Sequence, residues 1–115
     1  MLVGVAAADA QTVSSARAKA HAREHVADAR DRRELKRDVR ELRQDKRELG
    51  RDKRELRQDK RELRRDLRDP DATKRDIREG VREVRESRRD VREGRGDVRE
   101  DRRDIREGVR DIRKP

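Results

Sequence analysis

From Asp31 onward the apolar residues of the chain fall at fixed intervals. Leu35, Leu42, Leu49, Leu56 and Leu63 recur every seven residues. Ile77, Val84, Val91, Val98, Ile105 and Ile112 continue the same count, with Pro70 in the one place left over. Val39, Leu67, Val81 and Val109 form a second set, three residues ahead of the first. All 15 aliphatics beyond residue 30 therefore occupy two of seven positions. A three-four spacing held this long predicts a coiled-coil seam, with the longer series at heptad position d and the shorter at a.

The a row is otherwise cationic. Lys46, Lys53 and Lys60 lie between Val39 and Leu67, and Arg88, Arg95 and Arg102 lie between Val81 and Val109. An offset of 42 residues superposes the two stretches, so the pattern is an internal duplication of six heptads. Long cationic stems can lie along a seam while their charge reaches water, at some cost in stability. Between the copies stands Asp69-Pro70-Asp71-Ala72-Thr73. Pro70 cannot continue a helix and disfavours helical geometry at Asp69. Thr73 followed by Asp76 resembles a capping box. The expected elements are helix one over 35–68, a turn over 69–73 built on Asp69, Pro70 and Asp71, and helix two over 74–113. The alternative is one long helix kinked at Pro70.

Folded back on itself, the chain pairs a residues of one helix with d residues of the other. When the residue numbers in each layer total 144, no layer puts two cations together. Leu67 meets Ile77, Leu63 meets Val81, Val39 meets Ile105 and Leu35 meets Val109, which makes the two ends apolar clamps. The middle layers set Lys60, Lys53 and Lys46 against Val84, Val91 and Val98, and Leu56, Leu49 and Leu42 against Arg88, Arg95 and Arg102. Position g is acidic in helix one (Asp38, Asp45, Asp52, Asp59, Asp66) and small in helix two (Gly80, Ser87, Gly94, Gly108), with Asp101 the exception. Small residues opposite acids favour the antiparallel pairing. Basic e rows in both helices oppose it, and a parallel dimer would set acidic g against basic e. The fold class expected is all-α: a charged antiparallel helical hairpin with an Ala-rich helix before it.

Composition narrows the remaining choices. The chain has 115 residues, 37 of them Lys or Arg and 28 Asp or Glu, for a net charge of +9. It has no aromatic residue and no cysteine. An aromatic-centred globular core, disulfide staples and thiol chemistry are therefore excluded. Residues 1–10 differ from the rest. Leu2 to Ala8 is apolar and Ala8-Asp9-Ala10 has the small-x-small form of a signal-peptidase site, so this stretch reads as a signal-peptide remnant cleaved before Gln11. A periplasmic or secreted location follows, or a cytoplasmic one if residues 1–10 are only an Ala-rich helix end. Residues 11–34 are rich in Ala and read as a helix, with Ser14 or Ser15 as its N-cap. No stretch is apolar for long enough to span a membrane.

Candidate chemistry is sparse. His21-Ala22-Arg23-Glu24-His25 has the H-x-x-E-H form of one zinc-peptidase class and sets two imidazoles on one helix face. The chain offers no third ligand or walled cleft for catalysis, so His21 and His25 stand as metal-binding candidates only. Gly94-Arg95-Gly96 follows no strand and precedes no Lys-Ser/Thr, so it reads as a weak point in helix two rather than a phosphate loop. Carboxylates elsewhere are expected to pair with Arg at helical spacing. No cofactor is called for. Around helix one, acids at c and g and bases at b and e form separate stripes. The basic one suits polyanions such as nucleic acid or lipopolysaccharide, weakly and with strong salt sensitivity.

The phrase Arg54-Glu55-Leu56-Arg57-Gln58-Asp59-Lys60-Arg61-Glu62-Leu63 and its repeats resemble small exported proteobacterial proteins with Arg/Glu/Asp/Leu heptads, mostly uncharacterised. They are also distantly similar to the charged stretches of RcnB-type periplasmic proteins of nickel and cobalt homeostasis. That family's aromatic-containing folded domain has no counterpart here, so its metal role does not carry over. The function expected is non-enzymatic: a structural or interaction protein of the cell envelope that self-associates or binds a helical partner. Polyanion binding is the alternative, and a metal-binding or stress role the weaker third.

Overall fold

The computed structural model describes the backbone of residues 3–113 and the side chains of residues 13–113. Met1, Leu2 and the side chains up to residue 12 lie outside the described residues, and with them the apolar side chains of the expected signal remnant. The protein is an all-α hairpin of two long helices, α1 (Val3–Arg68) and α2 (Lys74–Arg113). The kinked single helix is ruled out, because the chain reverses and α2 packs along α1. The resulting rod measures 108 × 17 × 15 Å.

The Ala-rich stretch and the first heptad helix are one element, which departs from the expected division near residue 34. Between Val5 and Leu49 the sequence contains no Gly or Pro, so nothing interrupts the backbone ladder. Ser14 and Ser15 accordingly sit inside α1 and do not cap it.

The reversal uses side chains rather than a glycine. Among the described residues no backbone has positive φ and no peptide is cis. Asp69 N–H donates to the Arg65 carbonyl at 2.9 Å and closes α1. Asp71 N–H donates to Asp69 Oδ1 at 2.9 Å, an Asx turn around Pro70. Thr73 and Asp76 then form a reciprocal capping box. Thr73 N–H donates to Asp76 Oδ2 at 3.0 Å, and Asp76 N–H donates to Thr73 Oγ1 at 3.2 Å. Asp stands in for the usual Glu because it lies on the first turn of α2, where its charge also suits the helix dipole. Arg65 and Arg68 in the last turn of α1 complement that helix's opposite end.

Register can be read from the closest approaches. A Cβ added to Gly80 would lie 3.1 Å from Leu63 Cδ1, one on Gly94 3.1 Å from Leu49 Cδ1, and one on Gly108 3.4 Å from Leu35 Cδ1. Ser87 Oγ donates to Asp59, joining g of one helix to g of the other at numbers totalling 146. That spacing is the register in which opposed a and d residues total 144. The glycines of α2 let its backbone approach the leucines of α1.

The expected apolar clamps at the two ends are not where burial is greatest. Leu49, Val84, Val91 and Val98 are the buried apolar residues, all from the mixed middle layers, while Leu67 beside the turn is 62% exposed. Leu42 and Leu56 pack against the Leu49–Val91–Val98 cluster. The physical reason lies in the number of neighbouring layers. A middle valine is covered from both sides and by a cationic stem, and Lys53 and Lys60, half-buried, lie at the levels of Val91 and Val84. An end layer has solvent on one side.

By the same register Arg113 reaches only the level of Asp31. Residues 3–30 of α1 therefore run past the end of α2, a span of about 42 Å. Every described side chain from Val13 to Arg30 is exposed.

Candidate functional site

The heptad frame sorts the charges of the hairpin completely. In α1 from Asp31 on, and throughout α2, no Lys or Arg occupies c or g and no Asp or Glu occupies a, b or e. Position f is Arg or Gln in α1 and Glu in α2 (Glu79, Glu86, Glu93, Glu100, Glu107). Around a helix the order runs a, e, b, f, c, g, d, so g and c share one flank and e and b the other. Antiparallel pairing turns g toward g and e toward e. One face of the rod then carries the acids of both helices and the opposite face carries the bases of both.

Two shallow acidic grooves lie on that face. Asp31, Glu34 and Asp38 of α1 oppose Asp104, Glu107 and Asp111 of α2 across Leu35 and Gly108. Asp45, Glu48 and Asp52 oppose Asp90, Glu93 and Asp97 across Gly94. On the basic side, Arg78, Arg82 and Arg85 flank Ile77 and Val81. The c and f rows of α2 complete the acidic face. Their acidity is plain in the sequence, but it acquires meaning only once both helices are placed in one antiparallel frame.

Pairing of acids with bases at helical spacing is sparse among the described residues. Among the described residues one arginine meets a carboxylate, Arg75 with Glu79 at 3.3 Å. The frame explains this. A c residue has g four positions later, so Glu41, Glu48, Glu55 and Glu62 of α1 each neighbour an Asp. Such like-charged neighbours repel. The contacts that do form run to neutral groups, as in Gln44 with Glu48 and Gln58 with Glu62, both at 3.3 Å.

Two points on the acidic face stand apart. Asp59, already holding Ser87, lies with Glu62 and Glu83 so that one oxygen from each falls within 4.8 Å of the others. Two heptads away the equivalent g–g layer sets Asp45 against Asp101, with no hydroxyl between them. Asp101 is 9% exposed and its buried Oδ2 has no hydrogen-bond partner. Burial, and after it the facing carboxylate of Asp45 and the charges of Glu41 and Asp104, push its carboxyl up to about 7. A proton there supplies the donor that the pair otherwise lacks. In sequence Asp101 shows only as the one charged residue in a row of small ones.

His21 and His25 lie on the unpartnered stretch of α1, both exposed. Glu24 Oε2 is 3.7 Å from His21 Nδ1. Among the described residues the convergent donors are the carboxylates of Asp59, Glu62 and Glu83, not the histidines. The seam residues are brought together along the rod. Val81, Ile105, Val109 and Ile112 are half-buried in α2, as are Leu35, Val39 and Leu63 in α1. No described helix is long and apolar enough to cross a membrane. No family model, curated protein or solved structure matches this chain.

Proposed function

We propose that the chain is a non-enzymatic interaction protein of the cell envelope that works through the two charged faces of its hairpin. The observation that carries this reading is the sorting of charge onto opposite faces, with one arginine–carboxylate pair among the described residues. Charges that are not used within the fold remain available to a partner. The groups the rod presents are carboxylates and guanidiniums in open grooves, which suit recognition of charge along a length rather than enclosure of a small substrate. Export is supported by the apolar run Leu2–Ala8 and by Ala8-Asp9-Ala10.

The test is capture from an envelope extract on the immobilised chain, eluted by stepped salt. Proteins retained by the wild type should be lost when Arg85, Arg92 and Arg99 are changed to Gln. Equal retention by both would end this reading. Fractionation with N-terminal mass analysis checks location, where an uncleaved cytoplasmic product would remove the envelope from the proposal.

A second reading, polyanion binding, is favoured by the net charge of +9 and by the arginine rows of one face. The acidic face limits it to weak attachment that falls steeply with salt.

A further inference from the structure

We infer that the partner of each charged face is the opposite face of a second copy of this chain, so that hairpins stack acidic face on basic face. This rests on the interaction reading above and names its partner. Three observations point to it.

The first is spacing. Both faces are built from one seven-residue count, so charge repeats along each at about 10.5 Å. A second rod laid on the first matches row against row, and a slip of one heptad restores the match. Duplex DNA carries a phosphate charge every ~1.7 Å along its axis, with no such common period.

The second is the choice of cation. Every cation on the outward b and e rows of the hairpin is Arg except Lys36, whereas the seam is mixed, with Lys46, Lys53 and Lys60 in α1 and Arg88, Arg95 and Arg102 in α2. A guanidinium fork binds a carboxylate through two hydrogen bonds, and an ammonium binds it as a point charge. Arginine therefore fills almost the whole of the outward rows, where a carboxylate row could meet it.

The third is that both faces lie open to a partner. Glu83, Asp90 and Asp97 on the acidic side and Arg85, Arg92 and Arg99 on the basic side are all exposed. The two surfaces differ, so the contact is heterologous. After one copy binds another, each end of the pair still presents a free face, and the assembly grows as an open stack rather than closing as a dimer.

The experiment is sedimentation of the full chain at about 50 mM and about 500 mM salt, a range over which exposed charge is progressively screened. The wild type should show a mass that rises with concentration at low salt and returns to the 13.7 kDa monomer at high salt. Two variants separate the faces. One carries Glu83→Lys, Asp90→Lys and Asp97→Lys, and the other Arg85→Glu, Arg92→Glu and Arg99→Glu. Each alone should associate more weakly than the wild type at low salt, and their equimolar mixture should recover association, because the reversed row of one then meets the reversed row of the other. Circular dichroism confirms that both remain helical, and Gln replacements at the same sites serve if a reversal does not fold.

A wild type that stays monomeric at low salt overturns the proposal. So does a mixture that fails to associate, or a dimer that survives both high salt and face reversal, which would be a seam-to-seam coiled coil. Binding of duplex DNA at concentrations where no self-association occurs assigns the basic face to polyanions instead. If the chain stays monomeric yet still captures envelope proteins, self-stacking fails while the interaction reading stands.

Discussion

Two side chains, Asp101 and Asp76, tie the stability of the hairpin to pH in opposite senses. In the g–g layers at Gly80, Ser87, Gly94 and Gly108, α2 offers an aspartate of α1 either space or a hydroxyl, but at Asp101 it offers a second carboxylate. The folded value of Asp101 is raised to about 7 from an ordinary 3.8, so the folded chain keeps a proton that the unfolded chain has released. Stability linked to this group is complete below the ordinary value, falls as pH rises through the interval to about 7, and is level above it. The rod extends only 15 Å along its shortest axis, so water lies close to the pair and tempers the effect. Asp101→Ser recreates the layer in which Ser87 donates to Asp59. Thermal unfolding should show that variant more stable than the wild type at pH 8 and little changed at pH 4. An equal gain at both values would mean that charge at Asp101 is not the cause. Asp76 responds in the opposite sense. Its bonds from Thr73 N–H and Oγ1 hold its carboxyl below the usual range, so the cap is intact at neutral pH and lost on strong acidification.

At the scale of the helices, the layers differ in worth by their cover. Leu49 has neighbours on both sides, and Leu49→Ala should cost about 2 kcal/mol, the low end for a leucine truncation because the rod has no deep interior. Leu67→Ala, at a largely exposed end, should cost less than about 0.5 kcal/mol. Denaturant melts of the two variants rank them directly. The glycines of α2 divide in the same way. A Cβ at Gly96 meets nothing within 4 Å, so Gly96→Ala should gain about 1 kcal/mol in helix propensity. At Gly94 the added carbon meets Leu49 Cδ1 at 3.1 Å, and Gly94→Ala should forfeit that gain. Both helix ends at the turn, the Thr73–Asp76 cap and the hairpin were legible in the sequence, because Pro70 and the seven-residue count act locally. Residues 11–34 read as helix from their alanines, but their join to 35–68 in one element does not show, because alanine stretches carry no apolar frame to follow. The depth of each layer was also missed, since period alone does not say how many neighbours cover a residue. The acidic face is legible on one helix only, because its other half lies beyond the turn, from about twenty to about eighty residues away in the chain.

For the whole molecule, the same sorting of charge that leaves two faces open to a partner also strains the isolated rod, and salt separates the two effects. Across the acidic face the g row of α1 lies beside the c row of α2, with Asp45, Glu48 and Asp52 set against Asp90, Glu93 and Asp97. Across the basic face e opposes e, with arginine on both helices. Folding brings these like charges together, and the one arginine–carboxylate contact among the described residues offsets little of that repulsion. Unfolding restores the chain in which nearly every base has an acid within two positions. Added salt screens exposed charges beyond about 10 Å at 0.1 M and about 3 Å at 1 M. It should therefore stabilise the hairpin while dissolving any stack of hairpins. Cysteines placed at Leu35 and Val109 make this measurable in one molecule. Gly108 meets Leu35 across the seam, so the neighbouring pair lies within reach of a bridge, whereas a continuous helix would part them by about 110 Å. The expected product of mild oxidation is an intramolecular disulfide in a monomer. In the reduced protein at high dilution, the melting temperature should rise from about 20 mM to about 500 mM salt, a range that shortens the screening length several-fold. A fall over that range would mean that attraction between the two faces through the rod outweighs repulsion within each, and that the fold itself consumes the charge assigned here to a partner.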